Sequence, residues 1–262
     1  MLDKDHQQTG DIYKKLAPIY DAVMKDVDYD DWSDYIDSLI QYHHPHGNRL
    51  LELACGTGTM ALMLEQTNDY HIVATDGSAD MIHVARDKGI RSNSTITWLV
   101  QDMRRLNIND TFDVVYMVFD SLNYLHKPEE ILALLEGVQK HLKPRGVFFA
   151  DFTTPAHSPK IEKMLNSEQT VDDRYSYRRI SRFDPEKLIH TNHFLIQEYD
   201  PASGALEGRS EELHTQRIWC FSEIREIVSQ SQLQMIAAYE NFDFSYATDN
   251  SDRITLVLQH HG

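Results

Sequence analysis

Five short, almost uninterrupted apolar runs constrain the fold of this chain more than any other feature. They cover residues 49–55, 71–76, 96–102, 112–120 and 146–152. Continuous apolar runs of this length are typical of strands that are covered on both faces of a sheet. Between them lie helical patterns at residues 59–66, 78–89 and 128–146, the last opening at Pro128 and closing with Lys143, Pro144 and Gly146. Strands that alternate with helices predict a parallel sheet with right-handed crossovers.

The pattern is different on either side of this region. Residues 10–42 have helical spacing that is broken near Pro18 and again around residues 28–31, and residues 42–48 form a loop. After residue 170 the pattern predicts antiparallel strands joined by hairpins, then a helix and two further strands. These predicted elements are 175–183, 188–199, 205–219, the helix 221–232, and the strands 233–242 and 253–259. The chain is therefore predicted to be a parallel sheet interrupted by a small antiparallel unit.

The motif ELACGTGT, residues 52–59, lies where the first strand meets the first helix. Gly56 and Gly58 allow the backbone to approach a ligand closely, and the helix that follows offers free N–H groups. Asp76 ends the second strand, 18 residues beyond Gly58. A carboxylate at this distance accepts hydrogen bonds from the ribose hydroxyls of an adenosine. This pattern suits a nicotinamide dinucleotide and other adenosine cofactors equally.

Two further acidic positions distinguish these cofactors. Glu52 ends the first strand, and Asp102 followed by Met103 ends the third. A carboxylate beside the pyrophosphate of a dinucleotide would be repulsive. S-adenosylmethionine has no phosphate and carries a sulfonium and an ammonium group, so nearby carboxylates are favourable. Asp102 is in position to accept a hydrogen bond from an adenine amino group.

The sequence resembles the class I S-adenosylmethionine-dependent methyltransferases. The matching segments occur in the family's order and cover roughly residues 48–152, with Ala54 where the family often has glycine. They are ELACGTG (52–58), VATDGSADMI (73–82), VQDMRRL (100–106) and FDVVYMVFDSLNYL (112–125). The resemblance implies an α/β fold: a Rossmann-like, doubly wound, seven-stranded sheet that ends in a C-terminal β-hairpin, plus the small antiparallel β insertion.

The resemblance also implies a domain division and cofactor contacts. The methyltransferase domain would comprise residues 1–155 and 220–262 with an N-terminal helical cap, and the β insertion 156–219 would form a lid and acceptor region. The segment YKKLAPIYDAVM, residues 13–24, resembles the cap of small-molecule members, whose tyrosines line the methionine end of the cofactor. The cofactor residues implied in this way are Glu52, Ala54 and Gly56 for the methionine portion, Tyr20 at the methionine end, Asp76 for the ribose, Asp102 and Met103 for adenine, Met81 packing on adenine, and Phe119 near the methyl group.

Methyl transfer to a sulfonium-activated carbon depends mainly on alignment, and a general base is needed only if the acceptor must lose a proton. The catalytic residue is not identified by the sequence; candidates by position are Asp120, Asn123 and His126, with Tyr124, His157 and His214 as further possibilities. His43, His44 and His46 flank a proline in a polar loop without a matching ligand set, so no metal site is predicted.

Charge narrows the choice of partner. The chain has 41 acidic and 25 basic side chains, a net charge of −16, which disfavours nucleic acid and anionic membrane surfaces. The arginine-rich run 174–183 is interpreted as a lid strand with solvated arginines. The polar N-terminus and the absence of an apolar run of spanning length predict a cytoplasmic protein.

The sequence thus predicts an S-adenosylmethionine-dependent methyltransferase that acts on a small molecule. Three alternatives remain open at this stage: a tRNA or protein methyltransferase of the same fold, a nicotinamide-dependent oxidoreductase, and a cofactor-binding protein without turnover.

Overall fold

The structure of the protein is a computed structural model that describes residues 12–260. Short 3-10 turns lie at Ala17–Ile19 and Ser121–Tyr124. The helices of the described residues are α1 (Tyr20–Val23), α2 (Tyr29–His43), α3 (Thr59–Thr67), α4 (Ala79–Ser92), α5 (Pro128–His141), α6 (Ser158–Leu165) and α7 (Phe221–Ser229). The strands are β1 (Arg49–Leu53), β2 (His71–Asp76), β3 (Thr97–Val100), β4 (Phe112–Met117), β5 (Leu142–Thr153), β6 (Ser167–Thr170), β7 (Tyr175–Asp184), β8 (Ile189–Tyr199), β9 (Leu206–Arg217), β10 (Leu233–Glu240) and β11 (Arg253–His260).

The main sheet has seven strands in the order β10-β11-β5-β4-β1-β2-β3. The five strands β1 to β5 run parallel, and β11 pairs antiparallel with both β5 and β10. Strand order reverses on either side of β1, which lies between β2 and β4. Ligands bind at the carboxyl edge of such a sheet, at the point where the strand order reverses. The predicted seven-stranded α/β fold with its C-terminal hairpin is confirmed.

Two apolar layers hold helices against this sheet. One contains core residues of α2, α3 and α4, and the other contains core residues of α5 and α7. Every residue of β4 is buried, as its continuous apolar sequence predicts. Side chains cap the N-termini of two of these helices. Asp28 accepts a hydrogen bond from Asp31 N–H at 3.1 Å at the start of α2, and Ser78 accepts one from Met81 N–H at 3.3 Å at the start of α4.

A second, four-stranded antiparallel sheet follows β5, in the order β6-β7-β8-β9. One face of it is buried along each long strand, and that face includes Tyr177, Phe194 and Ile196. These side chains form a third apolar cluster with Leu16 and Ile19 of the N-terminal segment. The antiparallel sheet is therefore packed onto the N-terminal segment.

Some predicted elements are wrong in detail. The helix predicted to reach residue 146 ends at His141, and residues 142–145 begin β5 instead. Lys143 precedes Pro144, and the residue before proline is sterically excluded from the helical region. The insertion also contains α6 and β6, which were not predicted. Residues 13–16 are a turn rather than helix, with Tyr13 at a φ of 69°, and residues 10 and 11 of that predicted helix lie outside the described residues.

The turn from β1 to α3 has three residues with positive φ: Ala54 at 55°, Gly56 at 54° and Gly58 at 77°. A side chain at Gly58 would place its Cβ 2.4 Å from the Trp98 ring, so glycine is required there for space as well as conformation. Ala54 keeps a left-handed conformation that costs roughly 1–2 kcal/mol for a residue with a Cβ. A glycine would avoid this strain, which accounts for the glycine that the class I methyltransferases often have at this position.

We expect Gly58→Ala to lower the free energy of unfolding by about 2–4 kcal/mol, because strain in φ adds to a clash with Trp98. Ala54→Gly is the matched change in the opposite direction. It should be neutral or stabilising by up to about 1 kcal/mol, since relief of strain opposes the entropy of glycine. Urea unfolding of both variants measures the two effects, and equal losses of stability would contradict this description of the turn.

Candidate active site

A pocket of about 900 Å³, counted with its open mouth, lies at the carboxyl edge of β1, β2, β3 and β4. All nine residues predicted to contact the cofactor line it: Tyr20, Glu52, Ala54, Gly56, Asp76, Met81, Asp102, Met103 and Phe119. Among the described residues, the lining contains three carboxylates and neither lysine nor arginine. Such a lining fits a cationic ligand and offers no cationic side chain to a pyrophosphate.

Glu52 is the deepest of these carboxylates and is 1% exposed. The hydroxyl of Tyr116 on the neighbouring strand β4 donates to its Oε2 at 3.0 Å. Burial raises the pKa of Glu52 to about 8; the Tyr116 hydrogen bond partly opposes this shift, and the charge of Asp76 adds to it. A cation bound beside Glu52 would favour its ionised form.

Asp76 joins the ends of β1 and β2. Its Oδ2 accepts a hydrogen bond from Gly56 N–H at 2.9 Å, and its Oδ1 accepts one from Ser78 N–H at 2.8 Å. Burial raises the pKa of Asp76, and these two backbone hydrogen bonds oppose the shift. The carboxylate is therefore fixed in place before any ligand binds.

Asp102 forms part of an ion-pair group at the adenine end predicted for the pocket. Arg104 Nη2 lies 2.7 Å from Asp102 Oδ2, and Arg104 Nη1 lies 3.0 Å from Glu130 Oε1. Although burial opposes the shift, hydrogen bonds from Arg104 hold the pKa of Asp102 below its ordinary value. Asp102 is therefore an ionised acceptor whose orientation Arg104 fixes. Sequence reasoning did not assign this role to Arg104.

A larger cavity of about 2540 Å³, also counted with its opening, adjoins the first. It lies between the antiparallel sheet, the N-terminal segment and the ends of β4 and β5. The two cavities share four lining residues: Tyr13, Tyr20, Phe119 and Tyr124. Phe119 and the following Asp120 both have a φ of 60°, so they form a turn beyond β4 rather than the end of the predicted strand. Strained non-glycine residues of this kind cluster at functional sites.

A buried chain of polar groups ends at this shared wall. Glu212 accepts hydrogen bonds from the N–H groups of Tyr13, Lys15 and Leu16, at 2.9 Å for Tyr13. His214 Nε2 lies 3.1 Å from Glu212 Oε2, and His214 Nδ1 lies 3.3 Å from the Tyr124 hydroxyl. The hydroxyls of Tyr124 and Tyr13 are 2.6 Å apart.

The environment of Glu212 determines the direction of these hydrogen bonds. Burial raises its pKa, but the bonds from His214 and the backbone prevail, and the pKa lies below its ordinary value. Because an ionised Glu212 can only accept, we assign the proton of a neutral His214 to Nε2. Its Nδ1 can then accept the proton of Tyr124. The geometry thus forms a path for a proton from Tyr13 through Tyr124 to His214.

Asp120 is held by a second buried group. Arg253, the first residue of β11, lies 2.8 Å from Asp120 Oδ1 and also pairs with Asp151 of β5. Its guanidinium carbon lies 5.2 Å from the centroid of the Trp32 ring. Asp120 lines the second cavity, and both of its carboxylate oxygens lie close to Arg253.

The other two catalytic candidates lie outside both cavities. Asn123 is fully buried; its amide donates to the carbonyl oxygens of Thr153 and Arg217. His126 is exposed and contacts the Thr215 carbonyl oxygen at 2.9 Å. Neither position supports the predicted catalytic role. His157 and His214 do line the second cavity.

Sequence reasoning missed several lining residues of the first pocket, including Tyr29, Met60 and Gln101. It also missed Glu212 and Arg253. One signal was available for Glu212: in β9 the alternate residues Glu212, His214 and Gln216 are polar and fall on one face of the strand, which is the buried face. A polar set at inward positions is characteristic of a site rather than of a core.

The seven-stranded sheet and the carboxylate-lined pocket at its edge are those of a class I methyltransferase, the class whose cofactor is S-adenosylmethionine. The comparisons with known proteins agree. Residues 50–146 match the family model described as the methyltransferase domain. A crystal structure of an S-adenosylmethionine-dependent methyltransferase from Clostridium acetobutylicum ATCC 824 superposes with a TM-score of 0.77 at 26% identity, covering 95% of this chain and 99% of that one.

Two curated proteins extend this comparison. The "Putative methyltransferase YqeM" of Bacillus subtilis (strain 168) is 28% identical over 254 residues, covering 95% of this chain and 97% of that protein. The dTDP-3-amino-3,6-dideoxy-alpha-D-glucopyranose N,N-dimethyltransferase of Streptomyces fradiae is 32% identical over 140 residues, 53% of either chain. The chain is an S-adenosylmethionine-dependent methyltransferase, as its resemblance predicts. The comparisons lend no support to an oxidoreductase.

Two features are absent from residues 12–260. No helix there is both long and apolar enough to cross a membrane. No group of three or more His, Cys, Asp or Glu side chains in the same range is arranged to hold a metal ion.

The raised pKa of Glu52 predicts how stability depends on pH. The folded state keeps a proton on Glu52 up to a pH of about 8, whereas the unfolded chain loses it near its ordinary value of 4.5. The unfolding free energy of the wild type should therefore fall as pH rises through this window, by at most about 1.4 kcal/mol per pH unit. Glu52→Gln should remove this contribution and so gain stability relative to wild type toward pH 8.

Thermal or urea unfolding of the ligand-free protein between pH 5 and 9 measures this difference. Glu226→Gln, at an exposed glutamate of α7, is the control and should follow the wild type at every pH. A Glu52→Gln curve that runs parallel to the wild type would contradict the assignment.

Proposed function

We propose that S-adenosylmethionine occupies the first pocket and that a small-molecule acceptor binds in the adjoining second cavity. The observation that carries this proposal is the wall shared by the two cavities, formed by Tyr13, Tyr20, Phe119 and Tyr124. A methyl group can pass directly between two ligands only where their sites meet. The junction is also enclosed by aromatic rings, which exclude water from the reacting atoms.

The cofactor contacts follow from chemistry and position. Glu52, Ala54 and Gly56 bind the methionine portion, and Asp76 accepts from the ribose hydroxyls. Asp102 and the backbone of Met103 bind adenine, against which Met81 packs. Tyr20 and Phe119 lie beside the methyl group. The carboxylates of the lining support this proposal, because they suit a ligand that has no phosphate and carries two cationic groups.

When bound, S-adenosylmethionine supplies a methyl carbon, and the acceptor's lone pair forms the new bond as the electrons of the carbon–sulfur bond return to sulfur. The chain's own residues align the acceptor and remove its proton. That proton passes to the Tyr13 hydroxyl while the Tyr13 proton moves to Tyr124 and the Tyr124 proton moves to His214 Nδ1. Glu212 stabilises the imidazolium that forms.

The antiparallel sheet and α6 form the acceptor region, within the predicted insertion 156–219. Buried alternate residues of β7, β8 and β9 line the second cavity, including Arg179, Asn192 and His214. A small acceptor is also in keeping with the Streptomyces fradiae relative, whose name gives an amino sugar nucleotide as its substrate. The net charge of −16 disfavours a tRNA acceptor. A cytoplasmic location remains a prediction.

Calorimetry with S-adenosylmethionine tests the first pocket. The wild type should bind, and Asp76→Ala and Asp102→Ala should each weaken binding by about 10–100-fold, because each removes charge-assisted hydrogen bonds. Asp87→Ala removes an exposed aspartate of α4 outside the pocket and should bind like the wild type. No binding by the wild type would refute the proposed function, and equal binding by all four proteins would refute the residue assignments.

Release of S-adenosylhomocysteine over a panel of small amines and hydroxyl compounds identifies an acceptor and tests the proton path. Tyr124→Phe should lower kcat on that acceptor by roughly tenfold or more and alter its pH profile, while leaving the affinity for S-adenosylmethionine unchanged. Tyr199→Phe, on β8 and outside both cavities, is the control. An unchanged kcat and pH profile in Tyr124→Phe would rule out the path.

A further inference from the structure

Arg179 of β7 extends from the antiparallel sheet into the second cavity. Its Nε donates to Asn192 Oδ1 at 2.9 Å, and its guanidinium carbon lies 5.3 Å from the centroid of the Phe194 ring. These contacts fix one edge and one face of the guanidinium group. Among residues 12–260, no carboxylate oxygen lies within 4 Å of its nitrogens. The interpretation of this run as solvated arginines is therefore wrong for Arg179, which is half-buried.

Two other arginines, Arg253 in the wall of the second cavity and Arg104 beside the first pocket, are paired differently. Arg253 contacts both Asp120 and Asp151, and Arg104 contacts both Asp102 and Glu130. Because the chain has 41 acidic and 25 basic side chains, acidic partners are not scarce. A buried cation without a counter-charge destabilises the folded protein, and burial accordingly lowers the pKa of Arg179. The presence of Arg179 in the cavity wall is explained if a bound ligand supplies the negative counter-charge of its guanidinium.

The groups that surround Arg179 leave this charge uncompensated. After burial, the largest influences on the pKa of Arg179 are phenols: those of Tyr13, Tyr20 and Tyr124 on facing elements, and that of Tyr177 on its own strand. Asp120 is already paired with Arg253. The remaining acidic lining residues are exposed at the cavity opening, where solvent and salt screen them: Asp26, Asp28, Asp31 and Asp34. The interior of the cavity is therefore positive near Arg179.

We propose that Arg179 binds an anionic group of the acceptor, a carboxylate or a phosphate, through its two Nη groups. This inference rests on the proposed function, since it concerns the substrate of the same site. The planar guanidinium matches both anions with two parallel hydrogen bonds, and Asn192 holds it in register. The acceptor is then a small molecule with an anionic group at the antiparallel sheet and its methyl-accepting atom at the Tyr13–Phe119 wall.

Three small aromatic probes test this assignment by calorimetry on the protein saturated with S-adenosylhomocysteine: benzoate, phenyl phosphate and neutral benzamide. We expect at least one anion to bind about tenfold or more tightly than benzamide. Arg179→Met should weaken binding of that anion by about 10–100-fold and leave benzamide unchanged. Arg179→Lys should retain part of the preference. The tighter of the two anions distinguishes a carboxylate from a phosphate.

Arg182→Met is the matched control, because it makes the same change at an exposed arginine of the same strand. It should bind all probes like the wild type. An unchanged melting temperature and an unchanged affinity for S-adenosylhomocysteine show that Arg179→Met is folded. If Arg179→Met is unstable, the loss of anion preference is measured in Arg179→Lys instead. The inference is overturned if neither anion is preferred over benzamide, or if Arg179→Met and Arg182→Met behave alike.

The two proposals fail separately. If S-adenosylhomocysteine binds and no anion is preferred, the proposed function stands and the role of Arg179 is refuted. If S-adenosylhomocysteine does not bind, the proposed function fails, and the same titrations on the ligand-free protein decide the role of Arg179.

Discussion

The shared direction of the five central strands is the constraint on which the rest of the structure depends. Parallel strands end at one edge of a sheet, so residues that follow β1, β2, β3 and β4 meet there although they are far apart in sequence. Glu52, Asp76, Asp102 and Phe119 come together in this way. The crossover helices cover both faces of the sheet and leave this edge as the place where backbone N–H groups and carboxylates face a ligand.

The antiparallel sheet lies over this edge and forms a wall of the second cavity. Glu212 binds three successive backbone N–H groups of the N-terminal segment and thereby fixes Tyr13 at the junction of the cavities. The same carboxylate orients His214. One buried charge thus joins the placement of the segment to the chemistry proposed for it. The first pocket is lined by carboxylates without a lysine or arginine, whereas the second cavity is lined by Arg179 and Arg253 as well as by aspartates.

Sequence patterns predicted the parallel sheet because its causes are local, and the resemblance to a known family added nine residues that line the first pocket. A strand, a tight turn and a helix follow one another along the chain, and the carboxylates come at the ends of apolar runs. The acceptor side was predicted poorly because its contacts are distant in sequence: Tyr13 meets Glu212, and Asp120 meets Arg253. The side chain of Asn123 also looked available in sequence, but its hydrogen bonds to Thr153 and Arg217 become visible only in the folded chain.

Strand β11 runs against its neighbour β5, so its first residue, Arg253, arrives at the edge where the parallel strands finish. Its register opposite Thr153 fixes this position independently of the loop that precedes it. That loop, residues 241–252, supplies Asn241, Phe242 and Phe244 to the wall of the second cavity. Changes in the length or sequence of the loop can therefore reshape the acceptor site while the buried ion pairs stay intact.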